Sequence, residues 1–258
     1  MTAGRLDDPA RGEIELVGRL EVASNATFVG RIGDVTVVYK PVAGERPLWD
    51  FPDGTLAHRE VAAYLVSEST GWGVVPVTWL RDGPLGPGMV QLWQEPDPEQ
   101  DPVDVVPAHA VPPEGWCAVV QGSDERDQPV TLIHEDSAAL RRMAVFDVIV
   151  NNADRKGGHI LPTPEGHRYG VDHGVSFHVE PKLRTVLWGW SGAELHDDEL
   201  AGVDRVRADL DGDLGRRLSE EISGPELGAL AARCDRLLRE GRFPGHEGDM
   251  PALPWPLF

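Results

Sequence analysis

The chain has 258 residues, 24 Lys and Arg against 43 Asp and Glu, and a formal net charge of −19. That acidity excludes the phosphate-neutralising contacts of a nucleic-acid binder and adsorption to an anionic membrane surface. With 41% hydrophobic and 26% charged residues, the composition is that of a globular chain long enough for one domain of two lobes or two small domains.

Alternating apolar and polar residues predict strands over residues 15–22 and 26–32, and a Val-rich run predicts a third over 34–40. The turns between them fall at Ala23-Ser24-Asn25 and Gly33-Asp34. Asp53-Gly54-Thr55 offers the cap of a helix that reaches Gly71. Residues 74–80 and 88–94 predict two further strands around a Gly/Pro turn at 81–87. Residues 95–113 are rich in Pro and acids and predict a solvated connection, which divides an N-lobe (1–94) from a C-lobe (114–258). The C-lobe reads as mainly helical, with helices over 137–150, 195–204, 213–223 and 225–240. Between the first two lie two short strands around a turn, within 158–177. The tail 251–258 is Pro-rich and apolar, suited to docking on the chain's own surface or on a partner.

Two cysteines, Cys117 and Cys234, make no disulfide framework. The first 19 residues are charged throughout and lack the apolar stretch of a signal peptide, and no apolar run reaches bilayer length. A soluble, cytoplasmic, monomeric protein is expected. Lysine occurs only at Lys40, Lys156 and Lys182, so the positions that keep it stand out.

The densest polar cluster in an apolar setting runs from Asn151 to His159, directly after an apolar helix and before the strand-like Ile160-Leu161. Val171-Asp172-His173-Gly174 follows, with Asp172 eighteen residues after Asp154. Two carboxylates at the ends of short strands, one beside Arg155 and Lys156, suit phosphoryl transfer. One can take a proton from a hydroxyl and the other can hold a metal ion on phosphate oxygens. Asn151 and Asn152 read as turn and capping residues. His159, His167, His173 and His178 cluster without the spacing of a zinc motif. Asp209, Asp211, Asp213 and Glu220 have calcium-loop spacing, but Leu214 stands where that loop needs Gly, so they read as an acidic linker. Leu48-Trp49-Asp50-Phe51-Pro52 sets two aromatics before the first helix, as packing or as a lid.

The run from Phe146 to Leu161 resembles the catalytic loop of the phosphoinositide-kinase-like and HipA-like atypical kinases, in which Asn-x-Asp-Arg-His is followed after two residues by Asn. Asp172-His173-Gly174 is similar to their Asp-x-Gly metal motif. Over roughly residues 18–179 the order of elements matches too. The resemblance implies an α+β, two-lobed atypical protein-kinase-like fold with a β-rich N-lobe and a mainly helical C-lobe. It implies that Lys40 binds nucleotide phosphates and pairs with Glu60, and that Ser24, Asn25 and Thr27 form the phosphate-covering turn. It places Gln91, Leu92 and Trp93 at the hinge beside adenine. Asp154, Arg155 and Lys156 become the catalytic residues, and Asp172 with His159 the metal ligands. The implied activity is ATP-dependent phosphorylation of protein Ser/Thr, the chain itself included. Lys156 replaces the family's His and His159 its metal-binding Asn, so Mn becomes as plausible a cation as Mg. The same replacements leave two alternatives, a nucleotide-binding pseudokinase and a nucleotidyl transferase.

Overall fold

The computed structural model describes residues 12–20, 26–46, 48, 50–51, 56–247 and 251–258. Strands β1 (Glu15–Arg19), β2 (Phe28–Ile32) and β3 (Val35–Pro41) form an antiparallel meander, followed by helix α1 (Leu56–Thr70) and the hairpin β4 (Thr78–Gly83) and β5 (Gly86–Leu92). Together they make a five-stranded sheet in the order β1-β2-β3-β5-β4. Gly33, at φ 59°, makes the tight β2–β3 turn that pairs Ile32 with Val35. The expected turn at 81–87 contracts to Pro84-Leu85, because β4 and β5 continue pairing to Gly83 and Gly86.

The period of two along β3 decides what faces the site. Val37 and Tyr39 are fully buried on one face with Ile14, Ile32 and Val90. Val38 and Lys40 therefore point to the other face. Gly88 lets β5 lie close beside this strand, since a Cβ there would sit 2.5 Å from the Lys40 carbonyl oxygen and 2.7 Å from the Tyr39 ring. The cap expected at 53–55 lies outside the described residues. The first amides of α1 are met instead by Glu45, whose carboxylate accepts from Leu56 N at 3.2 Å and Ala57 N at 2.8 Å.

Residues 95–113 are not wholly a solvated connection, and the half that follows does not begin as helix. β6 (Val103–Pro107), β7 (Trp116–Ser123) and β8 (Pro129–Glu135) form a second antiparallel sheet in the order β6-β8-β7. Pro102 precedes and Pro107 ends β6, an edge strand where a missing N–H is tolerated, while Pro96, Pro98, Pro112 and Pro113 lie in the loops around it.

The helical part comprises α2 (Ala138–Val150), α3 (Asp197–Asp209), α4 (Asp213–Leu218) and α5 (Gly224–Glu240), with the short pair β9 (Ile160–Pro162) and β10 (Arg168–Gly170) after α2. Ser137 caps α2 by accepting from Leu140 N, and capping boxes set the starts of α3 (His196 with Glu199) and α5 (Ser223 with Glu226). These caps place α3 later than the expected 195–204, and α4 stops at Leu218. Leu140, Met143, Phe146 and Ile149 of α2 share one core with Val203, Val206, Leu218, Leu230 and, from α1, Ala62 and Val66. Helix α1 thus joins the five-stranded sheet to the helical part. Among the described residues no helix is long and apolar enough to cross a membrane. The molecule is a mixed α+β chain with a β-rich part followed by a largely helical one.

Candidate active site

The loop after α2 is built on a buried frame. Asn151 leaves the helix in the left-handed region at φ 54°. Its side-chain amide donates to the carbonyls of His178 and Glu180, and its Oδ1 accepts from Lys182 N. Asn152 donates to Asp147 Oδ1 at 3.0 Å and accepts from Asp154 N at 3.0 Å, which sets the direction of Asp154. Arg155 is fully buried. Its guanidinium grips both oxygens of Asp147 at 2.8 and 2.9 Å and also donates to the carbonyls of His159 and Val171 and to His173 Nε2. Within the expected catalytic set, Arg155 is thus a positioning residue that ties the 154–159 loop to the 171–173 loop. Asp147 escaped the sequence reading, although an Asp between Phe146 and Val148 on an apolar helix is itself a signal, since a buried carboxylate requires a partner.

On this frame six titratable side chains converge. Lys40 Nζ lies 2.7 Å from Glu60 Oε1 and 2.7 Å from Asp172 Oδ1, so β3, α1 and the 171–174 loop meet at one ammonium. Glu60 Oε2 accepts from His173 N at 2.9 Å, which locks the helix to that loop. Asp172 is held at φ 62°, a left-handed conformation uncommon outside Gly. Its second oxygen is 3.4 Å from His159 Nε2. Lys156 Nζ lies 3.3 Å from Asp154 Oδ2. Burial alone disfavours the Lys40 charge, but Asp172 and Glu60 outweigh it and hold the ammonium above its ordinary value. Lys40 in turn holds the Asp172 carboxyl well below the carboxylate range. Asp154 is raised by partial burial, against the pull of Lys156. His159 is pushed down to about 4 by burial and by nearby Arg155, Lys156 and Lys40, so the ring is neutral.

Lys40, Asp154, Lys156 and Asp172 stand between two cavities and line both. The first, about 390 Å³, reaches from Thr27 and Val38 past Gln91, Leu92 and Trp93 to Leu161 and Val171. Of the residues expected to bind nucleotide, Thr27, Lys40, Gln91, Leu92 and Trp93 line it, whereas Ser24 and Asn25 lie outside the described residues. Gln91 is buried, and its side-chain amide donates to Thr78 Oγ1 at 2.9 Å. The second cavity, about 480 Å³, is bounded by Leu48, Phe51, Leu56, Arg184 and Trp255. Phe51 packs under the Arg59 guanidinium and edge-on to His178, while Trp49 is outside the described residues.

The tail docks on the chain itself. Gly157 N donates to Leu257 O at 2.8 Å, and Trp188 Nε1 donates to Ala252 O at 2.8 Å. The Phe258 ring lies directly on Gly157, where any Cβ would collide with it. Trp255 stays 86% exposed at the mouth of the second cavity.

No model of a known protein family matches the chain. It is 50% identical to Protein Rv2133c of Mycobacterium tuberculosis over 262 aligned positions, which cover 96% of this chain and 94% of that protein. The chain belongs to the family of Protein Rv2133c. Among solved structures, it is similar to the Helicobacter pylori proinflammatory kinase CtkA with a TM-score of 0.44 and 12% identity, over 90% of this chain and 93% of that one. That likeness is too distant to bear on chemistry, and the functional reading rests on the site.

Proposed function

We propose that the chain is an ATP-dependent phosphotransferase related to the atypical kinases. The observation that carries the reading is Lys40 Nζ, 2.7 Å from both Glu60 and Asp172, where two cavities meet beside Asp154. In this reading the first cavity takes the nucleotide, its base between Val38, Leu92 and Trp93 on the sheet side and Leu161 and Val171 below. Lys40 binds the phosphate oxygens, kept in place and kept charged by Glu60. Asp154 accepts the proton of an acceptor hydroxyl, and its raised basicity suits that task. The hydroxyl oxygen forms a bond to the γ-phosphorus, the bond from that phosphorus to the β–γ bridging oxygen breaks, and ADP leaves. Lys156 supplies fixed positive charge beside the group in transit.

The donor set also fits a divalent cation. His159 Nδ1 lies 2.9 Å from the Asp154 carbonyl oxygen, which can only accept, so Nδ1 carries the proton. In the neutral ring the Nε2 lone pair then faces Asp172 Oδ2 at 3.4 Å, with no proton between them. His159 and Asp172 would be the residues to hold a divalent cation, which would supply charge neutralisation at the phosphates. No three His, Cys, Asp or Glu side chains converge on such a site among the described residues, so phosphate oxygens and water would complete the shell. The mixed nitrogen and oxygen donors favour Mn over Mg.

The test is purified protein with ATP and Mn or Mg, read by ADP release, intact mass and protection against heat. Asp154→Ala is expected to lose turnover by roughly a hundredfold or more while ATP still protects. A phosphate increment on the chain would make its own Ser/Thr an acceptor, and a nucleotidyl increment would move the activity to nucleotidyl transfer. ATP protection with no turnover for any acceptor would leave a pseudokinase. Absence of both turnover and protection would end the nucleotide reading.

A further inference from the structure

The second cavity carries a cation that the fold does not use. Among the described residues, each carboxylate lining it already has a partner. Glu45 accepts from the first amides of α1, Glu60 and Asp172 share Lys40, Asp154 pairs with Lys156, and Asp50 lies 3.3 Å from Lys182 Nζ. Arg184 is different. Among the described residues no carboxylate or carbonyl accepts from its guanidinium, and its Nε is buried without a hydrogen-bond partner. The buried arginines Arg59, Arg141, Arg155 and Arg168 are instead each paired with an acid: Glu226, Glu199, Asp147 and Glu135. Arg184 is half-buried, so its terminal nitrogens stay open to the cavity while the buried Nε lacks a partner that a bound acceptor could supply.

Its backbone is clamped to the catalytic loop. Arg184 N donates to Asn152 O at 3.0 Å, and Arg184 O accepts from Arg155 N at 3.0 Å, so Arg184 is fastened on both sides of Asp154. Its charge also reaches Asp154, whose ionisation it favours. A fork-shaped donor on a clamped backbone thus lines the same cavity as the group proposed to receive the hydroxyl proton.

We propose that the second cavity is the acceptor subsite and that Arg184 binds an anionic group on the acceptor, which is a small alcohol carrying a phosphate or carboxylate near the reacting hydroxyl. This deepens, and rests on, the phosphotransferase reading. The volume of about 480 Å³ is that of a small-molecule pocket. The walls of Phe51 and Trp255 would flank the carbon frame of such a compound, and Arg184 matches the fork geometry of phosphate or carboxylate. In the transfer the acceptor's anionic group stays bound while its hydroxyl oxygen takes the γ-phosphoryl group and its proton passes to Asp154.

The probe is inorganic phosphate, titrated by thermal shift and 31P NMR into the full-length wild type, Arg184→Gln, Arg184→Lys and the distant control Arg142→Gln, each with and without ADP. Arg184→Gln keeps most of the side-chain stem, and ADP protection of each variant reports that it is folded. Phosphate affinity is expected to fall roughly ten- to hundredfold in Arg184→Gln, partly recover in Arg184→Lys and stay at the wild-type value in Arg142→Gln, with phosphate and ADP binding together. Three outcomes overturn the proposal: wild type that binds no phosphate across the millimolar range, equal binding by Arg184→Gln, or displacement of phosphate by ADP, which would put the anion in the nucleotide site. A Ser peptide flanked by acids that bound through Arg184 more tightly than phosphate would overturn the small-molecule assignment. If ADP fails to protect any variant while phosphate binding still depends on Arg184, the phosphotransferase reading falls and the anion site stands.

Discussion

Lys40 shows how a single residue can be legible in part. Its rarity and its place at the end of a Val-rich strand mark it in the sequence, and the alternation of β3 turns it away from the Val37 and Tyr39 face. Nothing local says that Asp172, 132 residues later, comes within 2.7 Å. The pair is also structural, because Glu60 is only 2% exposed and its charge has no water to turn to. Lys40→Met should therefore destabilise the fold by about 3–5 kcal/mol, and Glu60→Gln in the same background should restore part of that loss by removing the buried charge. Urea unfolding of the two variants measures both; an unchanged midpoint for Lys40→Met would show that Glu60 is solvated. Arg155 was legible as an Arg beside Asp154 but not as a buried tie, since its role is defined by Asp147, eight residues back in the last turn of α2, and by carbonyls on the two loops it joins.

Among the elements, the β6-β8-β7 sheet was the one hidden from sequence. β7 is largely exposed and carries a bulge between Ala118 and Val120, so it lacks the clean alternation that marks a half-buried strand, while prolines at the end of β6 imitate a loop. Its centre is held through His134, fully buried on β8 with its ring 4.2 Å from Trp190. His134 Nδ1 donates to Glu135 O at 2.9 Å, and Nε2 accepts from Gly189 N at 3.1 Å, an arrangement that requires the neutral ring. Burial lowers its pKa accordingly. The unfolded chain binds this proton near pH 6.5 and the folded chain only at lower pH, so the contribution is fully present above about 6.5 and is lost as the pH falls, by up to about 1.4 kcal/mol per pH unit. His134→Gln, which can still accept from Gly189 N but cannot titrate, should flatten the acid limb of a plot of unfolding free energy against pH. A limb of unchanged slope would mean that the ring is protonated in the fold.

At the scale of the molecule, a charge of −19 on 258 residues makes self-repulsion a standing cost of compactness. Raising ionic strength from about 10 mM to about 150 mM shortens the screening length from roughly 30 to roughly 8 Å, so the melting temperature should rise with salt. A fall would mean that surface pairs such as Arg236 with Glu247 outweigh the repulsion. The same excess of acid gives meaning to the few cations near the cavities: in so negative a chain, Lys40, Lys156 and Arg184 are the local exceptions that an anionic ligand would find.

The sequence by itself determined the run of antiparallel strands with one inserted helix and the apolar helix before the 151–159 cluster, because those depend on local periodicity. It also determined which residue types stand near Asp154 and Asp172. Only the tertiary structure decided that Lys40 bridges Glu60 and Asp172, that Arg155 turns inward to Asp147, that the tail lies on Gly157 and that the Arg184 backbone is clamped on both sides of Asp154. Those facts arise from contacts across eight to more than a hundred residues, where the packing of elements and the turning of loops, and not the immediate neighbours in the chain, set which charges meet.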